Sequence, residues 1–246
     1  MLNIPEFSLP QLTKYQHASY VRYAKQVLEA QQHMSSPEAQ NIIRYTLENN
    51  SHHVQMTHYP QGDRIDRDTG AQYFYHCHRE NFETEEHGHF HCYLRYPHIS
   101  KRIKPLPLAD WDKNMANPMT HLIAIGMNRY GQPIRLFSVN RWITDEICYE
   151  AKHTARFVKQ FKMTKTDSYY WQNLDRWVEG MIHLFAPHIQ WVNSARDMVL
   201  SNFQKLNPDC NVYEEQRFDV LSEMHINLNQ HIQWILEFDS VEQPVS

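Results

Sequence analysis

The chain has 246 residues, of which 41% are apolar and 21% charged, with a net charge of -4 and 17 histidines. That balance describes a chain able to bury a core rather than a disordered one, and it gives no electrostatic case for a nucleic-acid or anionic-membrane partner. No apolar run approaches the roughly 20 residues that span a bilayer. Met1 to Gln11 lacks the basic-then-apolar pattern of a signal peptide. The four cysteines (Cys77, Cys92, Cys148, Cys210) are too dispersed for a disulfide framework, which points to a reducing, cytoplasmic setting.

The first predicted helix runs from about Leu12 to Gln32. Ser35-Ser36-Pro37-Glu38 breaks it and starts a second, because a serine hydroxyl caps free N–H groups and proline loses nothing in the first turn. That helix should bury Ile42, Ile43 and Leu47 and end near Asn49-Asn50. The period then changes. Residues 53–59 read as extended and Pro60-Gln61-Gly62-Asp63 as a turn. Residues 71–78 and 87–95 read as strands, followed by a proline-containing loop over about 97–118. His121 to Met127 and Ile134 to Asn140 form a predicted hairpin around Gly131, with the first strand placed centrally because it is apolar on both faces. Thr144-Asp145-Glu146 should open a helix reaching about Lys162, with a capping hydroxyl and carboxylates at the positive end of its dipole. Asp167 or Ser168 should cap the next, which carries Leu174, Trp177, Val178, Met181, Ile182 and Phe185 at helical spacing and is kinked or ended by Pro187. A helix over 188–205, a strand within 217–226 and a short helix over 229–237 complete the chain.

The chemistry concentrates in the centre. Alternate residues of a strand share a face, so His76 and His78 point one way, as do His87, His89 and His91. In a symmetric antiparallel hairpin His78 faces His87, His76 faces His89, and His91 faces Phe74. Opposed side chains have Cβ atoms only about 4.5–5.5 Å apart. Such a patch of imidazoles suits a transition metal, zinc or iron first and copper, manganese or nickel as alternatives. Glu86 is a candidate ligand, a partner that orients a ligand, or a general base. Tyr75 is a candidate catalytic group at the edge of the site. His121 is the leading candidate from outside the hairpin, although it shares a predicted face with Ile123 and Ile125 and reads slightly better as a core histidine. His58 is a weaker candidate. Cys77 and Cys92 alternate away from the histidines, which disfavours a mixed Cys/His zinc site.

Gln72-Tyr73-Phe74-Tyr75-His76-Cys77-His78, Glu86 to His91, and Asn140-Arg141-Trp142 resemble an uncharacterised bacterial family whose likeness would cover most of the chain after about His53. That resemblance implies no known activity. His76-Cys77-His78 followed by Glu83 is similar to the first motif of the cupins, which implies a mononuclear iron, manganese or nickel centre with His76, His78 and Glu83 as ligands. His87-Gly88-His89-Phe90-His91-Cys92-Tyr93 resembles the motif of the histidine triad hydrolases and transferases, which implies a metal-free nucleotide or phosphoramidate hydrolase with His89 as nucleophile.

The expected architecture is an α+β fold in one domain over 1–246. It has a helical start (11–50), a β-rich centre (53–140) and a helical end (143–240), with a central, mainly antiparallel sheet and helices from both chain ends packed around it. The expected function is a metal-dependent enzyme or metal-binding protein acting on a small molecule, with ligands drawn from His76, His78, His87, His89, His91 and His121. A metal buffer or sensor is the alternative without catalysis.

Overall fold

In the computed structural model, residues 4–35, 41–48, 54, 56–77, 85–108, 118–164 and 168–238 are described. Six strands form one sheet in chain order: β1 (Tyr59–Ile65), β2 (Ala71–Cys77), β3 (Glu86–Arg95), β4 (Met119–Asn128), β5 (Pro133–Val139) and β6 (Val220–His225). Every neighbouring pair is antiparallel. Helices α1 (Lys14–Met34) and α2 (Ile42–Thr46) precede the sheet. Between β5 and β6 the chain inserts α3 (Arg141–Thr144), α4 (Thr154–Gln160), α5 (Gln172–Leu184) and α6 (Ala186–Leu206), and α7 (Leu228–Glu237) follows β6. The fold is α+β. Among the described residues no helix is long and apolar enough to cross a membrane.

Local chemistry sets most helix ends. Thr13 and Gln16 form a reciprocal capping box at the start of α1. Asn41 accepts the N–H groups of Ile43 and Arg44 to open α2, which is shorter than the sequence pattern suggests. The Ser36-Pro37 start lies outside the described residues. Pro187 falls in the first turn of α6, so it separates α5 from α6 rather than kinking a single helix.

Two expectations change. The turn at Pro60 to Asp63 lies inside β1 as an irregularity: Tyr59 pairs with Tyr75, but Arg64 already pairs with Tyr73, with Gly62 at φ 84 and Asp63 at φ 60 between them. The helix expected from Thr144 to Lys162 is broken. α3 stops at Thr144, Asp145 takes a left-handed φ of 47, and helix resumes only with a short 3-10 turn at Ala151–His153 that leads into α4. The reason is Glu146, whose carboxylate turns inward and accepts from the His121 N–H at 2.7 Å and the Thr120 hydroxyl at 3.2 Å. A residue that reads as a helix-start carboxylate is a buried strut for β4. The predicted cap Asp167 lies outside the described residues, and α5 begins at Gln172.

The helices pack on one face of the sheet. There Tyr73, Tyr75, Cys77, Phe90, Cys92, Leu94, Ile123 and Ile125 share a core with Val27, Trp177, Met181 and Val192 of the helices. Across that core, Asp175 of α5 accepts from Arg64 of β1 and from the Tyr73 hydroxyl, which ties the sheet edge to the helical layer. The opposite face carries Phe74, His76, His89, His91, Tyr93, Ala124 and Phe137, all of them buried.

Candidate metal centre

The hairpin register is the symmetric one: His76 pairs with His89, and Phe74 pairs with His91. His78, with Glu80 and Glu83 of the connecting loop, lies outside the described residues, so the cupin-like set of His76, His78 and Glu83 cannot be placed as a unit.

Two β-bulges then decide which other side chains join the histidine face. Between β3 and β4, Glu86 pairs with Asn128 and Gly88 with Met127, so His87 is an extra residue on β3. The extra residue shifts the alternation. Glu86 falls on the face of His89, and His87 turns to the other side, where its Nδ1 lies 2.7 Å from the Tyr75 hydroxyl. This corrects the expectation that His87, His89 and His91 share a face. Tyr75 is fully buried in the helix-facing core, not at the edge of the histidine cluster. Further along, Cys92 pairs with Ile123 but Tyr93 with His121, so Leu122 is an extra residue on β4. That bulge takes His121 away from the face of Ile123 and Ile125 and sets it beside His91.

The resulting cluster is tight. His76 Nε2 lies 2.7 Å from His89 Nε2, and His89 Nε2 lies 3.0 Å from His91 Nε2. His91 Nδ1 is 3.0 Å from His121 Nε2, and His89 Nδ1 is 2.8 Å from Glu86 Oε1. The four rings are 6%, 6%, 2% and 4% exposed for His76, His89, His91 and His121, so few waters reach their nitrogens. His58 reaches this face only by stacking on Phe74, with its Nδ1 on Asp63.

Burial dominates the electrostatics. It pushes the His91 pKa well below the usual imidazole value, and neighbouring His89, His121 and His76 push the same way. Burial, with Arg196 and His89, lowers His121 to about 3. Burial alone would raise the Glu86 carboxyl, but hydrogen bonds and charge from His89 and Arg135 outweigh it and hold Glu86 at about 2. An ionised Glu86 only accepts, so His89 donates to it from Nδ1–H while its Nε2 faces His76 and His91.

His76, His89 and His91 therefore form a buried group whose nitrogens, all within 4.8 Å of one another, are able to hold a metal ion. Tetrahedral zinc at 2.0–2.1 Å places its nitrogens about 3.3 Å apart, so the His76–His89 and His89–His91 pairs, at 2.7 and 3.0 Å, would each open by a few tenths of an ångström. The nitrogens that point away are occupied too: Glu86 meets His89, and His121 meets His91, as second partners of metal-bound histidines commonly do. Cys77 and Cys92 are buried on the opposite face, where burial raises both thiol pKa values, and contribute nothing to this set. The strut Glu146 had no motif to reveal it; in the sequence it reads as one of the carboxylates of a helix start after Thr144.

An antiparallel α+β sheet carrying a buried imidazole cluster is thus the class of protein. Over residues 21–226 the chain matches the model of DUF6969, a domain of unknown function, and it belongs to that family. No curated protein and no solved structure matches it.

Proposed function

We propose that His76, His89 and His91 bind one transition-metal ion through their Nε2 atoms, and that the centre acts on a small molecule entering the ion's open coordination position. The observation that carries this reading is the convergence of three buried Nε2 atoms, with the far nitrogens of His89 and His91 already engaged. Without an ion, His89 Nε2 shares two close imidazole contacts, at 2.7 and 3.0 Å, an arrangement an ion would relieve by replacing the protons between the rings.

Zinc or iron fits the all-nitrogen set best, with copper, manganese and nickel behind them. Three neutral imidazoles leave a divalent ion its full charge. The ligand it draws is therefore an anion or an oxygen donor such as water, a carboxylate or a phosphate. Bound there, the ion would supply an activated water or a site for dioxygen. Glu86 and His121 orient the ligands, and Tyr75 and His87 take no part.

Elemental analysis of protein purified without a histidine tag tests the reading, alongside the His76→Ala/His89→Ala variant. Near-stoichiometric metal in the wild type and its loss in the variant is the expected result. A wild type that holds no metal and takes up none on titration overturns it and returns the cluster to metal-free histidine chemistry.

A further inference from the structure

We propose that Glu86, Arg135 and Glu223 form a positioning relay that fixes His89 as its Nδ1–H tautomer and holds its ring plane for the metal. This inference rests on the metal reading, and its test separates the two.

Four strands each contribute one feature to the relay. On β3 the bulge at His87 puts Glu86 on the histidine face, where Oε1 meets His89 Nδ1 at 2.8 Å. On β5, Arg135 donates through Nε to Glu86 Oε2 at 2.5 Å and through a second nitrogen to Glu223 of β6 at 2.5 Å. On β4, which lies between them, Gly126 leaves the path open. A Cβ there would stand 2.5 Å from Glu86 Oε2 and 2.8 Å from Arg135 Cγ. The Arg135 guanidinium also lies 4.2 Å over the Phe137 ring, and Phe137 meets the His89 ring edge-on at 4.9 Å, so the same arginine steadies His89 from two directions.

The physical need is clear. Glu86 stands behind the His89 ring, at Nδ1, on the side away from the Nε2 that would face the ion, the place from which a carboxylate orients a ligand histidine. Both Glu86 oxygens are held, one by the histidine it orients and one by Arg135. A carboxylate behind an imidazole strengthens that imidazole as a donor and fixes its ring plane. Arginine suits the link because its fork reaches two carboxylates at set angles, whereas lysine offers a single point charge. At the far end the Glu223 side chain is 46% exposed, so the relay runs from the buried centre to the surface.

The test uses the full chain with ¹⁵N-labelled histidine. In the metal-free wild type, long-range ¹H–¹⁵N spectra should show the His89 proton on Nδ1. Glu86→Ala should lose that fixed tautomer and weaken zinc about 10- to 100-fold in a chelator competition. Gly126→Ala, which displaces the Glu86 carboxylate, and Arg135→Lys, which breaks the fork, should each cost about 10-fold. Glu223→Gln, a half-exposed change that leaves folding intact, should cost about 3-fold. Circular dichroism confirms the fold of each variant. A wild-type tautomer and zinc affinity in Glu86→Ala overturn the relay. A wild type that binds no metal overturns the proposed function instead, while the metal-free tautomer still decides the relay.

Discussion

The protein packs two populations of histidine, and they are built on different principles. On the helices, three rings each find a backbone carbonyl. His17 Nε2 lies 2.8 Å from the Ile235 carbonyl, His183 Nε2 lies 2.9 Å from that of Phe161, and His231 Nε2 lies 2.8 Å from that of Leu184. Their faces stack on aromatic rings, His183 on Tyr23 at 4.2 Å and His231 on Phe185 at 4.5 Å. On the sheet, the nitrogens of His76, His89 and His91 turn toward one another rather than toward carbonyls. A histidine that finds a backbone acceptor and an aromatic face is a packing residue with a polar edge. Histidines that point their nitrogens at each other spend that edge on a shared point, which is the arrangement a ligand rewards.

The largest effect should separate the two populations outright. His91→Ala removes one of three proposed ligands, so zinc affinity should fall by at least ~100-fold, more than the loss of an orienting partner costs. His183→Phe should leave zinc affinity unchanged and lower stability by about 1 kcal/mol, because the Phe161 carbonyl loses its partner. Metal affinity by chelator competition and urea melts read both quantities. Equal metal loss in the two variants would erase the distinction.

Acid should act through the helical set even when the sheet set is disabled. Burial lowers His183 to about 4, and burial with His231 lowers His188 to about 3. Both rings are neutral in the fold and bind a proton in the unfolded chain below the ordinary value of about 6.5. Unfolded protein therefore binds more protons in that window. The stability these rings confer is complete above about pH 6.5 and declines as pH falls toward 4 and then 3. The urea midpoint of the His76→Ala/His89→Ala protein should still drop between pH 7 and pH 5, with a shallower drop when His183→Phe is added. A midpoint flat across that range would sink the assignment.

The sequence carried the α+β class and the pairing of His76 with His89, because a period of two and a short connection leave one simple register. It also carried the rejection of Cys77 and Cys92, which follows from the same alternation. What it hid were the bulges, since an inserted residue changes faces without changing composition. Gly88 was the nearest hint: a Cβ there would stand 2.3 Å from the His76 carbonyl, so the strands approach too closely for a side chain. Glycine between two histidines reads as a spacer, not as a mark of close backbone approach. Glu146 was hidden for another reason, because a threonine followed by carboxylates is a good helix start, and only the tertiary use of its carboxylate on β4 overrides that preference. Arg135 and Glu223 lie 49 and 137 residues beyond Glu86 in the chain, and no local pattern joins them.

The smallest expected effect is the sharpest test of the bulges. With uninterrupted alternation His87 would belong to the cluster and His121 to the apolar core; in the bulged sheet the roles are exchanged. His87→Ala should therefore keep wild-type zinc affinity while losing the contact with the Tyr75 hydroxyl, about 1 kcal/mol of stability. His121→Ala should weaken zinc by about 10-fold, because His91 Nδ1 loses the group that orients it. The two substitutions remove the same side chain from neighbouring strands, so general damage to the sheet would move both affinities together. Only a face change at each bulge moves one and spares the other, and the reverse pattern would mean that β3 and β4 pair without either inserted residue.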